Sequence, residues 1–597
     1  MKSATFASSF LSITRMSNAS QHTFHIPVLG LCFSIDSPLK VARYGISSVV
    51  SIIEDELIEH MRSYHCLQNG KVYIPISEKE HDYRAKRITA YLNMMQELVG
   101  EQIALLKAQP LKEGTELWKY FQLLPENAAL KNKFNTFLQT IDAAIKKGLE
   151  EELSNAVAPG AIDVNIMAKV DNARYDKEGN RLPDEYSDAL SALRGFAQSN
   201  LSSSVVFSAG YNPKLYAYAE QFADFFPDEA GVLKKKIILK VSDYRSALVQ
   251  GKLLAKKGLW VSEFRIESGL NCGGHAFATE GLLMGPILEE FKNKRAELRQ
   301  ELFDLCNRSL AAKGVLQLPE TAPQRIAAQG GIGTGEEQTF LLDYYQLDGT
   351  GWGSPFLLVP EATNVDDTTL SQLASASPND YYLSNASPLG VPFNNFRRSS
   401  SEAQRKDRVE RNRPGSPCYK KYLSSDTEFT DQPICTASRK YQHLKIKQLK
   451  ESNLPEQVLQ QKIEALEEKD CLCEGLTTSV RLKNEMYLPH QLSAVAICPG
   501  PNLAFFSGVF SLQQMVDHIY DRSEITNKLP RPHMFVNELK LYIDYFQKHM
   551  DTAQTKVLEK FRSNLLAGIS YYKLLLSDAK EELARYEEML QREVVLA

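Results

Sequence analysis

The chain has 597 residues, of which 43% are hydrophobic and 24% charged, and its formal net charge is −4. This is an ordinary globular composition, long enough for one large enzyme core or several domains. The charge excludes a general nucleic-acid or membrane-surface binder, and with no run of about 18 apolar residues no membrane span is expected.

The first 25 residues, MKSATFASSFLSITRMSNASQHTFH, contain no acid and many Ser and Thr. They read as a disordered tail over residues 1–23, with Met16 as an alternative start; a transit peptide is the competing reading. Eight short apolar runs follow, most of them rich in Val and Ile and too short for helices. They are IPVLGLCF from Ile26, ISSVVSII from Ile46, IDVNIMAKV from Ile162, SSVVFSAG from Ser203, KIILKVS from Lys236, LWVSEFRIE from Leu259, RIAAQGGI from Arg325 and DGTGWGSPFLL from Asp348. Several lack alternation, as expected of parallel strands buried on both faces. Helix-compatible stretches such as YRSALVQGKLLAKKG separate many of them. The pattern predicts an α/β fold, a (β/α)8 TIM barrel built from residues 24–54 and 161–395.

Residues 55–160 interrupt the rhythm. LNMMQELVGEQIALLKAQ and FNTFLQTIDAAIKKGLEEEL have the pattern of amphipathic helices, which predicts a helical insertion after the second strand. Between Arg397 and Arg413, RRSSSEAQRKDRVERNR is polar and basic and reads as a flexible, solvated excursion. The alternative is a contact for an anionic partner or substrate tail. This stretch opens a cysteine-containing extension over residues 396–535. Residues 536–597 are helical in pattern again, a set of C-terminal helices that either cover the barrel or make an oligomer contact.

Three glycine-rich strand ends occur in succession: Gly273-Gly274-His275, then Gly330-Gly331-Ile332-Gly333-Thr334, then Gly349-Thr350-Gly351-Trp352-Gly353-Ser354. A phosphate needs several backbone N–H donors aimed at one place. Glycine allows close approach and positive φ, and a helix N-terminus adds its positive end. In (β/α)8 barrels a frequent phosphate site lies between the loops after strands 7 and 8, where the second and third clusters fall. Tight packing at barrel turns is the alternative reading.

These stretches carry a resemblance. IPVLGLCFSIDSPLKVARYGISSVVSI, FRIESGLNCGGHAF, AAQGGIGTGEEQ and GTGWGSPFLLVPEA are similar to the flavin-dependent nitronate monooxygenases, also called 2-nitropropane dioxygenases, over about residues 24–53 and 162–362. The resemblance implies FMN as cofactor. Gly330, Gly331 and Ile332, joined by Gly351, Gly353 and Ser354, would cradle its phosphate, and Gly273 and Gly274 would approach the flavin. Asn165 would hydrogen-bond the isoalloxazine. Lys240 follows the pattern of the flavin domain of glutamate synthase instead. It would stabilise negative charge near N1–C2=O, or else be a barrel-rim lysine. His275 would be the general base or proton donor, a role that suits an imidazole, with a structural histidine as the alternative. The insertion and the residues after about 390 have no counterpart in a minimal member of that family, so they would reshape substrate access. Cys272 reads as a packed thiol.

The nine cysteines are scattered, which argues against a disulfide scaffold and for a reducing, cytoplasmic setting. Cys418, Cys435, Cys471 and Cys473 could hold zinc or an iron–sulfur cluster. Their C-x16-C-x35-C-x-C spacing is not a standard one, and packed thiols are the other reading. The expected function is therefore FMN-dependent oxidation or reduction of a small organic substrate, with O2 or NAD(P)H as a second reactant and a homo-oligomer as a further possibility. The alternatives are an NAD(P)H-dependent flavin enoyl reductase-like enzyme, a non-flavin phosphate-binding barrel isomerase or lyase, and a non-catalytic subunit that binds a partner or RNA.

Overall fold

A computed structural model describes residues 21–167, 171–176, 178–208, 210–486, 492–550 and 554–592. The tail predicted over residues 1–23 lies almost wholly outside them. Seven of the eight apolar runs contain most of one strand, while the first strand ends at Ile26, where its run begins. The strands are β1 (Phe24–Ile26), β2 (Ser47–Ser51), β3 (Ile162–Ile166), β4 (Ser203–Phe207), β5 (Lys235–Val241), β6 (Val261–Glu267), β7 (Arg325–Gln329) and β8 (Gly349–Gly351). They pair in parallel in that order, and β8 returns to β1 through His25 opposite Gly351, closing the barrel. The fold is the predicted (β/α)8 barrel. Helices such as Tyr244–Ala255, capped by the Asp243 carboxylate on Ser246 N–H, cover the outside.

The barrel interior departs from the usual branched-apolar filling. Only Val49, Val206 and Ile238, with Val28 against them, form an apolar layer there. On the N-terminal side Arg265 is paired with Glu263 at 2.5 Å and with Asp163 at 3.3 Å. At the C-terminal ends Lys240 pairs with Glu267 at 2.6 Å, and Gln329 Nε2 donates to Glu267 at 2.6 Å. Buried charge is costly unless paired, and both layers meet that cost with ion pairs; the C-terminal mouth is the end at which barrels of this kind carry their sites.

The insertion is helical, as expected. The helix Tyr83–Lys107 packs beside the barrel, where Arg84 bonds Asp55 at 2.9 Å and reaches Asp188 at 3.2 Å. FNTFLQTIDAAIKKGLEEEL forms two helices rather than one, Ala129–Gln139 and Ala143–Ala156, because Asp142 caps the second through Ala144 and Ile145 N–H. The C-terminal helices Met534–His549, Thr555–Leu575 and Lys580–Arg592 cover the barrel: Phe535 stacks on Tyr572 at 5.1 Å, and Tyr572 accepts from Gly285 N–H at 3.1 Å.

One expectation is corrected. The basic 397–413 stretch is not a flexible excursion, since Ser400–Glu410 is a helix capped by Ser399 on Glu402 N–H. Its buried face is polar. Glu402, 2% exposed, pairs with Arg405 at 2.9 Å and accepts from Asn395 at 3.1 Å, and Ser401 donates to Asp470. With no apolar stripe the helix leaves no periodic trace in the sequence. Cys418, Cys435, Cys471 and Cys473 lie near one another, and the Cys418 and Cys435 thiols are hydrogen-bonded. Among the described residues no three His, Cys, Asp or Glu side chains are grouped so as to hold a metal ion. Cys435 and Cys473 are buried in the apolar core. Among the described residues no helix is long and apolar enough to cross a membrane.

One packing contact carries a pH prediction. Glu538 is 2% exposed, and it accepts from the Ser268 hydroxyl and from Met284 N–H at 2.8 Å. Burial pushes its carboxyl up to about 7 from an ordinary 4.5. A carboxyl raised in the folded state keeps a proton that the unfolded chain has lost. Its contribution is therefore full below the ordinary value and disappears as pH rises through about 7. Stability should fall by roughly 3 kcal/mol across that window. Glu538→Gln, which mimics the protonated acid, should remove most of the slope in denaturant unfolding at acid and alkaline pH; equal slopes in both proteins would reject the assignment.

Candidate active site

A cavity of about 490 Å³ opens at the C-terminal mouth of the barrel. Its floor is the polar layer at the strand ends. Asn165 of β3 accepts from Ser208, just past β4, and both line the cavity. Lys240 and Glu267 stand next to each other as an ion pair, and Gln329 completes the row. The sequence reading selected Asn165 and Lys240 but missed Glu267 and Gln329, although both sit inside the quoted FRIES and AAQGG stretches.

The three glycine clusters all reach this one cavity: Gly273 and Gly274, Gly330, Gly331 and Ile332, and Gly351, Gly353 and Ser354 line it. Their roles differ. A Cβ on Gly274, whose φ is +80°, would meet nothing within 4 Å, so this residue faces open space. A Cβ on Gly273 would lie 2.5 Å from Cys498 O, and one on Gly351 would lie 2.7 Å from Gln329 Cβ, so both serve packing. Among the described residues nothing accepts a hydrogen bond from the main-chain N–H of Gly331, Ile332, Gly353 or Ser354. Gly331 and Ile332 are buried and Gly353 and Ser354 half-buried; orphan buried donors are rare in native folds, and four free N–H groups on one cavity can form a cradle for an anion.

The loop 498–502 joins the two halves of that cradle. Gly500 N–H donates to Ser354 Oγ at 2.7 Å, and Asn502 Nδ2 donates to Ile332 O at 2.8 Å. The helix Gly335–Asp343 does follow the second cluster, capped by Thr334, but its positive end is already met. Glu337 of its first turn accepts from Gly333 N–H at 2.8 Å, and no residue of the helix lines the cavity. The cradle is therefore made of loop amides rather than of a helix end.

His275 also lines the cavity. Its strand-end segment is pinned by a short antiparallel bridge to Phe393, with Ala276 N–H on Pro392 O and Asn394 N–H on Gly274 O, both at 2.9 Å. The ring meets Phe393 edge-on at 5.2 Å, and its Nε2 is 2.7 Å from Ser387 Oγ. Cys272 is half-buried and lines the cavity; its thiol donates to Gln329 O at 3.7 Å, and burial pushes it well above its ordinary value. Burial likewise pushes Cys498 up to about 12.

The cavity also has an apolar lining of Phe33, Met167, Leu389, Val391, Leu476 and Ile497. Four of these groups, Leu389, Val391, Leu476 and Ile497, lie at the end of the barrel sequence or beyond it, so the chain from about residue 390 onward does shape access. The insertion over 55–160 contributes no lining residue. It lies beside the barrel and toward its other end, a correction to the expectation that it reshapes access.

No protein-family model matches the chain, and no curated protein matches it in sequence. Solved structures similar to it include FabK from Thermotoga maritima, at 13% identity and a TM-score of 0.31, over 70% of this chain and 86% of that one. The enoyl reductase domain of MlnA from the macrolactin biosynthesis cluster of Bacillus amyloliquefaciens is 14% identical, with a TM-score of 0.32, over 69% and 89%. Nitroalkane oxidase from Streptomyces ansochromogenes is 10% identical, with a TM-score of 0.33, over 84% and 94%.

Proposed function

We propose that the chain is an FMN-dependent oxidoreductase acting on a small organic substrate, of the nitronate monooxygenase-like class. The observation that carries this reading is the set of four unpartnered main-chain N–H groups, at Gly331, Ile332, Gly353 and Ser354, on a cavity floored by Asn165 and Lys240. The amides fit a phosphate. The polar floor fits a heteroaromatic edge that needs donors and acceptors, and Gly274 leaves space beside it. Bound FMN would supply reversible hydride or electron transfer, chemistry that no side chain offers.

The residues of the chain have distinct tasks in this reading. Loop amides hold the phosphate. Asn165, oriented by Ser208, presents its amide to the ring edge. Lys240 places an ammonium at the cavity floor, where it stabilises added negative charge. Glu267 holds that ammonium in place at 2.6 Å. His275, oriented by Ser387, holds or moves the proton that accompanies oxidation or reduction of the substrate. The apolar lining excludes water and favours a substrate with an apolar body.

The chain purified without oxygen should be yellow, with a flavin absorption spectrum, and should release FMN on denaturation. Colourless protein that fails to take up added FMN would sink the proposal and favour a phosphate-ester isomerase or lyase, in which the same cradle holds the substrate. The spectrum during mixing with NAD(P)H or with O2 separates reductase from oxidase chemistry.

A further inference from the structure

Three consecutive carbonyls of the cradle loop are gripped by side chains that come from beyond the barrel. Arg531 Nη2 donates to Gly331 O at 2.7 Å, Asn502 Nδ2 to Ile332 O at 2.8 Å, and His518 Nε2 lies 2.8 Å from Gly333 O. A trans peptide points its C=O and N–H in opposite directions. Drawing the Gly331 carbonyl outward therefore turns the Ile332 N–H the other way, and Ile332 lines the cavity.

Arg531 is the centre of this arrangement. Its guanidinium forms a fork on Glu337, at 2.6 and 2.8 Å, and its Nε donates to Asn502 Oδ1 at 3.0 Å. Glu337 in turn accepts from Gly333 N–H at 2.8 Å and from Met534 N–H at 2.7 Å. The side chains of Arg531 and Glu337 are 9% and 5% exposed, so the pair is shielded from water and its geometry is held tightly. A Cβ on Gly333 would lie 2.5 Å from Arg531 Nε, which gives that glycine a reason other than the ligand.

We infer that Arg531, held by Asn502 and flanked by Asn502 and His518 on the next two carbonyls, is a positioning residue that fixes the Ile332 amide of the phosphate cradle, so that the chain's C-terminal part is built into its choice of a phosphorylated cofactor. None of the three lies in the stretches that carry the phosphate loops, and Arg531 touches the loop at the Gly331 carbonyl. The inference rests on the reading of the cradle as an FMN phosphate site.

The test uses the full chain stripped of flavin and compares FMN with riboflavin, which lacks the phosphate. The wild type should bind FMN on the order of 100-fold more tightly than riboflavin, since several charge-assisted bonds are lost. Arg531→Lys keeps a charge opposite Glu337 but lacks the fork. Asn502→Ala removes a neutral group and serves as the second variant, with thermal unfolding as the check on folding. Each should weaken FMN binding on the order of tenfold and leave riboflavin binding within about twofold of the wild type. If folded variants keep the wild-type ratio of FMN to riboflavin affinity, or weaken both ligands alike, the positioning role is overturned. If the wild type itself does not prefer FMN, the phosphate reading fails first and takes this inference with it.

Discussion

Replacing His275 with alanine is expected to leave FMN bound and to slow turnover by roughly 100-fold or more, the range of lost general acid–base catalysis. The imidazole lines the same cavity as the cradle but stands on a different loop. The cradle lies after β7 and β8, whereas His275 follows β6. Truncating the ring should therefore not disturb the phosphate amides. The bridge to Phe393 is made by main-chain groups and survives the substitution. Ser387→Ala should cause a smaller loss, because it frees the ring without removing it. The measurement is the steady-state rate with a nitronate or enoyl substrate that the wild type accepts, alongside an FMN titration. A His275→Ala enzyme with unchanged turnover would leave His275 a structural residue.

The second large effect concerns the cradle itself. Gly331→Ala should weaken FMN binding by on the order of 100-fold, enough to yield colourless protein after purification. Gly331 has φ of +80°, where an L side chain is strained by roughly 1–2 kcal/mol. A Cβ there would also lie 2.0 Å from Asn271 Nδ2 and 2.6 Å from its Cγ. Asn271 is 2% exposed and is held by its contacts to Met534 O and Asn537, so it has little room to move. The Gly331–Ile332 peptide must then rotate, and the Ile332 N–H leaves the cavity. Gly274→Ala is the control: its φ is also +80°, but its Cβ would meet nothing within 4 Å. It should add strain and narrow the cavity without changing the preference for FMN over riboflavin. Fluorescence titration of both variants decides the matter. A Gly331→Ala protein that binds FMN like the wild type would remove this loop from the phosphate site.

Much of the barrel was legible because its signal is local. Val- and Ile-rich runs such as KIILKV and SSVVF are strand-forming wherever they fall, and their lack of alternation reports burial on both faces. The glycine clusters were legible for a related reason. Backbone that must take positive φ or admit a neighbour has few residue choices. The helix Ser400–Glu410 was not legible, since its buried face is Ser401 and Glu402 rather than an apolar stripe. The strap through Arg531 was equally hidden. An arginine in LPRPHMF has no neighbour in sequence that announces Glu337, 194 positions away.

By itself the sequence determined the eight strands, their order and the succession of glycine turns that follows from it, because each depends on propensity and burial within a few residues. The family resemblance it carries also singled out Asn165, Lys240 and His275, which the fold brings to one cavity. Only the tertiary structure decided which glycines face that cavity and which merely admit a neighbour. It alone placed Glu267 on Lys240, Ser387 on His275, and Arg531, Asn502 and His518 on the carbonyls of the cradle loop. The reason is physical: where a hydrogen-bonding group points, and whether a partner meets it, depends on long-range packing that leaves no periodic mark in the chain.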